Sequence, residues 1–219
     1  MSLRVIMGPM FAGKTSEIQA IVRRYTCLGR AVLVLTSALD DRYQESVTAI
    51  VNHDRLSVPA RAVKPKDLFS VLAWPEFCSA KLVVIDEAQF FSEDGMLERF
   101  VRIAVDGLQK DVVLVGLDSD AERKPFTGLL ALCAQADHVE KRSALCVMCS
   151  DGTPAIFTRS LKERVGRVVV GGAELYQPVC RKHFNASIAS SLSLPSSLPS
   201  CSGASACASE KSCCCRPFE

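Results

Sequence analysis

The chain has 219 residues, 48% of them hydrophobic, and its 26 basic and 24 acidic side chains leave a formal charge of +2. That length holds one good core with room for a small appendage, and the near-balance of charge implies no broad surface for a nucleic-acid polymer. No apolar run reaches the ~18 residues of a membrane span and no secretory signal opens the chain, so a cytoplasmic protein without a membrane partner is expected.

Leu3 to Met7 is a short apolar run that reads as a buried strand. Gly8-Pro9-Met10-Phe11-Ala12-Gly13-Lys14-Thr15 follows, with the G-x-x-x-x-G-K-T spacing of a phosphate-cradling loop. Glycines at both ends let the backbone turn its N–H groups inward, and the helix that follows adds the positive end of its dipole. That helix is marked by Ile18, Ile21, Val22 and Tyr25 on one face and stops at Gly29. In such a loop Lys14 reaches the β- and γ-phosphates of a nucleotide, and the Thr15 hydroxyl takes a Mg²⁺ position. A chance match in a glycine-containing turn is the alternative, and the flanking strand and helix weigh against it.

Ala31 to Thr36 reads as a second strand, rich in Val and Leu as a buried parallel strand should be. Polar segments follow around Asp40-Asp41-Arg42 and Asn52 to Arg55, and the spacing between Lys64 and Phe77 predicts one short helix bounded by Pro65 and Pro75. Leu82 to Ile85, ending in Asp86-Glu87, has the form of a strand that carries a carboxylate to its C-terminal edge, where open α/β sheets bind ligands. Further expected elements are a helix within Gly95–Leu108, a strand at Asp111–Leu117, a helix at Pro125–Cys133 and a last strand at Val139–Ala144. This alternation argues for an α/β fold, a parallel sheet with helices on both faces.

The chain then changes character. Cys146-Val147-Met148-Cys149 and Cys180-Arg181-Lys182-His183 lie about thirty residues apart and bracket two short β-like stretches, Pro154–Thr158 and Arg167–Val170. C-x-x-C paired with C-x-x-H supplies four ligands for a structural zinc, with no position left open for catalysis. Of the other cysteines among the 11, Cys27, Cys78 and Cys133 stand singly, and the remaining five fall after Asn185. There the composition collapses to Ser, Ala, Pro and Cys, which reads as a solvated, disordered tail. This distribution fits an enzyme of the reducing cytosol better than a disulfide framework.

The phosphate loop, Ile85-Asp86-Glu87-Ala88-Gln89-Phe90-Phe91, Arg123-Lys124-Pro125-Phe126 and the late cysteine–histidine pairs together resemble the thymidine kinases of the human cytosolic, poxviral and bacterial type, over about residues 3–184. The resemblance implies a RecA-like P-loop kinase domain over 1–143, a zinc-binding lasso over 144–185 and the tail over 186–219. It implies transfer of the γ-phosphoryl group of ATP to the 5′-hydroxyl of thymidine or deoxyuridine, with Mg²⁺ and structural zinc as cofactors, in a homotetramer. Glu87 would face the 5′-hydroxyl as base, with Lys14 and Arg42 supplying positive charge. ATP and its phosphates would meet Gly8 through Thr15, Asp40, Arg42, Asp86 and Gln89, with Thr15 and Asp86 organising Mg²⁺. The nucleoside would be lined by Met10, Phe90, Leu117, Ala121, Phe126, Thr158, Val168, Val169, Val170, Gly171 and Tyr176. Cys146, Cys149, Cys180 and His183 would hold the zinc.

Three features depart from the family pattern, one of them a linker after Cys149 about two residues longer than usual. Ala121 stands where an aromatic residue is usual, which removes stacking surface and opens a deoxynucleoside kinase of relaxed base specificity as an alternative. Ala88 stands where glycine is common. A nucleic-acid-dependent ATPase with a zinc ribbon is a further alternative, because Asp86-Glu87-Ala88-Gln89 also resembles a helicase box. A single P-loop in 219 residues, with no basic stripe, speaks against it.

Overall fold

The computed structural model describes residues 1–38, 48–51, 57–161 and 174–189. Strand β1 (Ser2–Met7) leads through the phosphate loop into helix α1 (Lys14–Cys27) and back to β2 (Val32–Ser37). A hairpin follows, β3 (Thr48–Val51) and β4 (Ser57–Val63), then a 3-10 segment over Pro65–Ala73, α2 (Pro75–Ser79) and β5 (Leu82–Ile85). Helix α3 (Met96–Arg102) loosens into a π turn over Ile103–Gly107 before β6 (Asp111–Gly116), α4 (Thr127–Ala131) and β7 (His138–Lys141).

These seven strands form one sheet in the order β3-β4-β2-β5-β6-β1-β7. Six run parallel, and β3 pairs antiparallel on the edge. Apolar residues alternate between two faces. Val5, Leu35, Ile85 and Leu114 pack on one side with Phe91, Phe100 and Leu132. Ile6, Val34, Val84 and Val113 pack on the other, against Ile18 and Ile21 of α1. Burial on both faces explains why β1, β5 and β6 read as unbroken apolar runs.

A small lobe follows, made of two antiparallel pairs and a helix. β8 (Ala144–Leu145) pairs with β9 (Pro154–Ala155), β10 (Phe157–Ser160) pairs with β11 (Tyr176–Val179), and α5 covers Arg181–Ala189. Its core is slight: Ala144, Cys146, Ala155, Val179, Cys180 and Phe184, closed by Ala12 and Phe11 from the phosphate loop. The sheet and the small lobe therefore meet at the Gly8–Thr15 loop.

The parallel α/β sheet expected from the alternation is present, with three local differences. Pro75 begins α2 instead of closing a helix, because Trp74 before it is extended (ψ 138°), the conformation a following proline favours. The hairpin β3–β4 was not expected; Pro59 inside β4 argues against a strand, yet it stands opposite Ala49 of β3, in a stretch before the pairing of β4 with β2 begins at Arg61. The last strand of the sheet ends at Lys141, and Ala144 belongs to the small lobe. The expected strand at Arg167–Val170 lies outside the described residues. No helix among the described residues is long and apolar enough to cross a membrane.

Candidate active site and metal centre

The phosphate loop leaves β1 under the backbone of Arg142, whose N–H donates to Met7 O at 2.8 Å. Gly8 has φ 153°, and a Cβ there would collide with the Arg142 carbonyl. Phe11 (φ 65°) and Gly13 (φ 71°) make the left-handed turns that bring the chain to Lys14, the first residue of α1. Phe11 is not glycine, and its ring lies against the small lobe's core. Gly8→Ala is expected to lower stability by about 1–3 kcal/mol and to weaken ATP binding, since the backbone on either side must move. Thermal melts with and without ATP check this; a melting temperature and an ATP-induced shift equal to wild type would refute it.

The Lys14 ammonium folds back over its own loop and donates to Gly8 O at 3.1 Å and Pro9 O at 2.7 Å. Burial holds its pKa below the ordinary lysine value, while the Glu87, Asp86 and Asp118 carboxylates pull it back up. The amine thus sits where several negative groups converge. Thr15 is half-buried beside it in the first turn of α1. Glu17 in the same turn receives Arg4 at 3.3 Å and Arg142 at 3.4 Å, and Arg142 also donates to Gly13 O at 3.2 Å. This pair of arginines ties α1 and the loop to the sheet, a role the chain's spacing does not signal.

Asp86 follows β5 at its carboxyl edge, buried, with its N–H on Leu35 O at 2.8 Å and its Oδ1 accepting from Glu87 N at 3.0 Å. Glu87 stands in the left-handed region (φ 52°), a conformation that costs a non-glycine residue about 1–3 kcal/mol and is found at functional sites. Its Oε2 accepts from Gln89 Nε2 at 2.6 Å. Ala88 and Phe91 bury themselves in the core, while Phe90 between them is only half-buried. Asp118, at the end of the neighbouring β6 segment, holds Lys141 at 2.7 Å.

Across from these groups, Met10 N–H donates to Thr158 Oγ1 at 3.0 Å, tying the phosphate loop to β10. Thr158 and Tyr176 are buried in adjoining strands β10 and β11. Leu117, Ala121 and Phe126 are half-buried in the segment after β6. Asp120 organises that segment: its Oδ1 accepts from Glu122 N and Lys124 N, both at 2.9 Å. An acidic residue capping the amides two and four positions on is a turn signal that the sequence reading passed over. Arg123, in a left-handed turn (φ 64°), then lays its guanidinium 4.8 Å from the ring of Phe184 and 5.6 Å from that of Phe157. The segment is thereby docked on the small lobe. Asp40, Arg42, Val168, Val169, Val170 and Gly171 lie outside the described residues.

The metal-ligand candidates do come together. Cys146, Cys149, Cys180 and His183 present ligand atoms that all lie within 4.8 Å of one another. Cys149 Sγ is 3.7 Å from Cys180 Sγ, and His183 Nδ1 is 3.5, 3.3 and 3.4 Å from Cys146, Cys149 and Cys180. A tetrahedron with Zn–S of about 2.3 Å and Zn–N of about 2.0 Å has edges of about 3.5–3.8 Å. The donor set and its spacing therefore fit zinc, with His183 offering Nδ1. Burial pushes the Cys146 thiol up, but the N–H groups of Cys180 and Cys149 and the His183 ring outweigh it and draw it down to about 6. Cys149 moves the opposite way: burial first, and then the neighbouring Cys146 and Cys180 sulfurs, push its thiol up to about 11.

Comparison with known proteins agrees with this geometry. The thymidine kinase family model matches residues 1–184. The chain is 34% identical over 189 residues to thymidine kinase a of Arabidopsis thaliana, covering 84% of this chain and 74% of that one. It is 36% identical over 182 residues to the thymidine kinase of Rhodothermus sp., covering 83% and 80%. Against the thymidine kinase of Choristoneura biennis entomopoxvirus it is 28% identical over 186 residues, 84% of this chain and 97% of the other. With the phosphate loop, the Asp86-Glu87 edge and the four-ligand cluster in one fold, the chain belongs to the thymidine kinase family and is an ATP-dependent kinase.

Proposed function

We propose that the chain phosphorylates the 5′-hydroxyl of thymidine, and of deoxyuridine, with the γ-phosphoryl group of ATP, as a cytoplasmic salvage enzyme. The observation that carries this reading is the placement of the Gly8–Thr15 loop and of Asp86-Glu87 at the carboxyl ends of strands in one sheet, with both carboxylates acting on the buried Lys14 ammonium. Lys14 exchanges its two carbonyl partners for phosphate oxygens when ATP enters. Phosphoryl transfer passes through a loose transition state, so charge neutralisation and alignment matter more than a strong base. Glu87 aligns the hydroxyl and accepts its proton, and Lys14, with Arg42, meets the charge on the transferred group.

Thr15 and Asp86 offer a hydroxyl and a carboxylate oxygen, the hard donors Mg²⁺ takes, and would hold it; bound there, the ion neutralises phosphate charge. Cys146, Cys149, Cys180 and His183 would hold a closed structural zinc. The nucleoside lies between the loop after β6, with Leu117, Ala121 and Phe126, and the small lobe, with Thr158 and Tyr176; Met10 and Phe90 complete its walls, with 168–171 contributing. A homotetramer belongs to the same reading.

An assay with γ-labelled ATP and thymidine, deoxyuridine, deoxycytidine and deoxyguanosine tests it, with single-stranded DNA as a separate arm. Label is expected in the monophosphates of thymidine and deoxyuridine. Transfer to all four would support relaxed base specificity, for which the half-buried Ala121 is the specific reason. ATP hydrolysis stimulated only by DNA would overturn the reading.

A further inference from the structure

Gln89 lies under the end of β6, 5% exposed, with both ends of its amide engaged. Leu117 N–H donates to Oε1 at 3.0 Å, and Nε2 donates to Glu87 Oε2 at 2.6 Å. The orientation follows from chemistry. A backbone N–H can only donate, so the end facing Leu117 must be oxygen. The other end is then the NH₂ group, which can only donate, and it meets an acceptor on Glu87. A contact this short to a carboxylate is a charge-assisted bond.

The fold leaves room for this bond at one position. A Cβ on Gly116 would collide with Gln89 Oε1 and crowd Leu129, so β6 ends in a residue without a side chain where the glutamine passes. Ala88 and Phe91, buried on either side, fix the turn that carries it. Glu87 is held in its left-handed conformation by this bond on one side and by Asp86 Oδ1 on the other.

We propose that Gln89 is a positioning residue for the reaction: it fixes the Glu87 carboxylate by its Oε2 and so presents Oε1 to the nucleoside hydroxyl. This rests on the reading of Glu87 as the proton acceptor. One N–H of the amide is given to the base, and the second remains for a phosphate oxygen. It also sets the base at a defined distance from the Leu117 backbone, so one side chain ties the base to the pocket wall.

Gln89→Glu keeps the shape and the acceptor for Leu117 but sets a second carboxyl against Glu87, so the pair shares one proton and Glu87 is no longer a free acceptor. Its kcat is expected to fall about 10- to 100-fold, the scale of a misplaced reacting group, with the KM values for thymidine and ATP within about twofold of wild type. Gln89→Ala, which adds no charge, should show the same kcat-only loss. Because Gln89 acts through Glu87, adding Gln89→Glu to Glu87→Gln should cause no further loss of the residual rate. Wild-type kcat in Gln89→Glu, or an equal loss with and without Glu87, would overturn the proposal. Full turnover in Glu87→Gln alone would instead remove the base assignment, and this inference with it.

Discussion

Glu87→Gln is expected to lower kcat by about 10²- to 10⁴-fold while ATP binds as tightly as to the wild type. The substitution keeps the side chain's length and its place after β5, and it removes the capacity to take a proton together with a negative charge that acts on Lys14. A loose transition state asks little of the base until late, which favours the lower part of that range. ATP affinity should hold because the phosphate loop, Lys14 and Asp86 are untouched. Steady-state transfer and calorimetric ATP titration on the same preparation check both halves. Unchanged turnover would remove Glu87 from its role; lost ATP binding would mean that the left-handed turn at Glu87 supports the nucleotide site directly.

Cys146→Ser is expected to abolish zinc binding and, with it, the folded small lobe. Cys146 is 2% exposed and accepts the Cys180 N–H at 3.2 Å, so it is a packing residue as well as a candidate ligand. The lobe's own core is a handful of small side chains around Phe184 and Val179, too little apolar area to hold two short strand pairs unaided. A structural zinc supplies about 10–16 kcal/mol of apparent binding free energy, far more than such a core. The loss should spread to the nucleotide site, because Phe11 and Ala12 seal that core and Thr158 holds the Met10 N–H. Metal analysis, near-ultraviolet circular dichroism and ATP titration measure the three consequences. Cys27→Ser, at an exposed position away from the cluster, serves as the control and should match wild type. Full zinc content in Cys146→Ser would contradict the assignment.

What could be read from the chain follows from where its side chains are buried. β1, β5 and β6 are covered on both faces and so announce themselves as apolar runs. The phosphate loop and the two metal-ligand pairs are legible because their chemistry demands fixed spacings. β7 and β4 are harder: β7 is a sheet edge with His138 and Val139 exposed, and β4 carries Pro59. β11 hides behind Pro178, which pairs with Thr158.

The site shows the same division. Lys14, Thr15, Asp86 and the zinc ligands are written into motifs, whereas the nucleoside-lining set came from family resemblance. The contacts that join the pieces are not local. Arg123 over Phe184, the Leu117 N–H on Gln89 Oε1, and Arg142 on Gly13 O each link residues far apart in the chain. No periodicity or spacing encodes such pairs.

The most direct measurement is a crystal structure of the zinc-loaded protein with a thymidine–adenosine oligophosphate that spans both substrates. The phosphates are expected on the N–H groups of Phe11 to Thr15 and on Lys14, and the thymidine 5′-oxygen within about 3 Å of Glu87, with the base held against the small lobe. A nucleoside bound away from Glu87, or phosphates bound away from that loop, would contradict it.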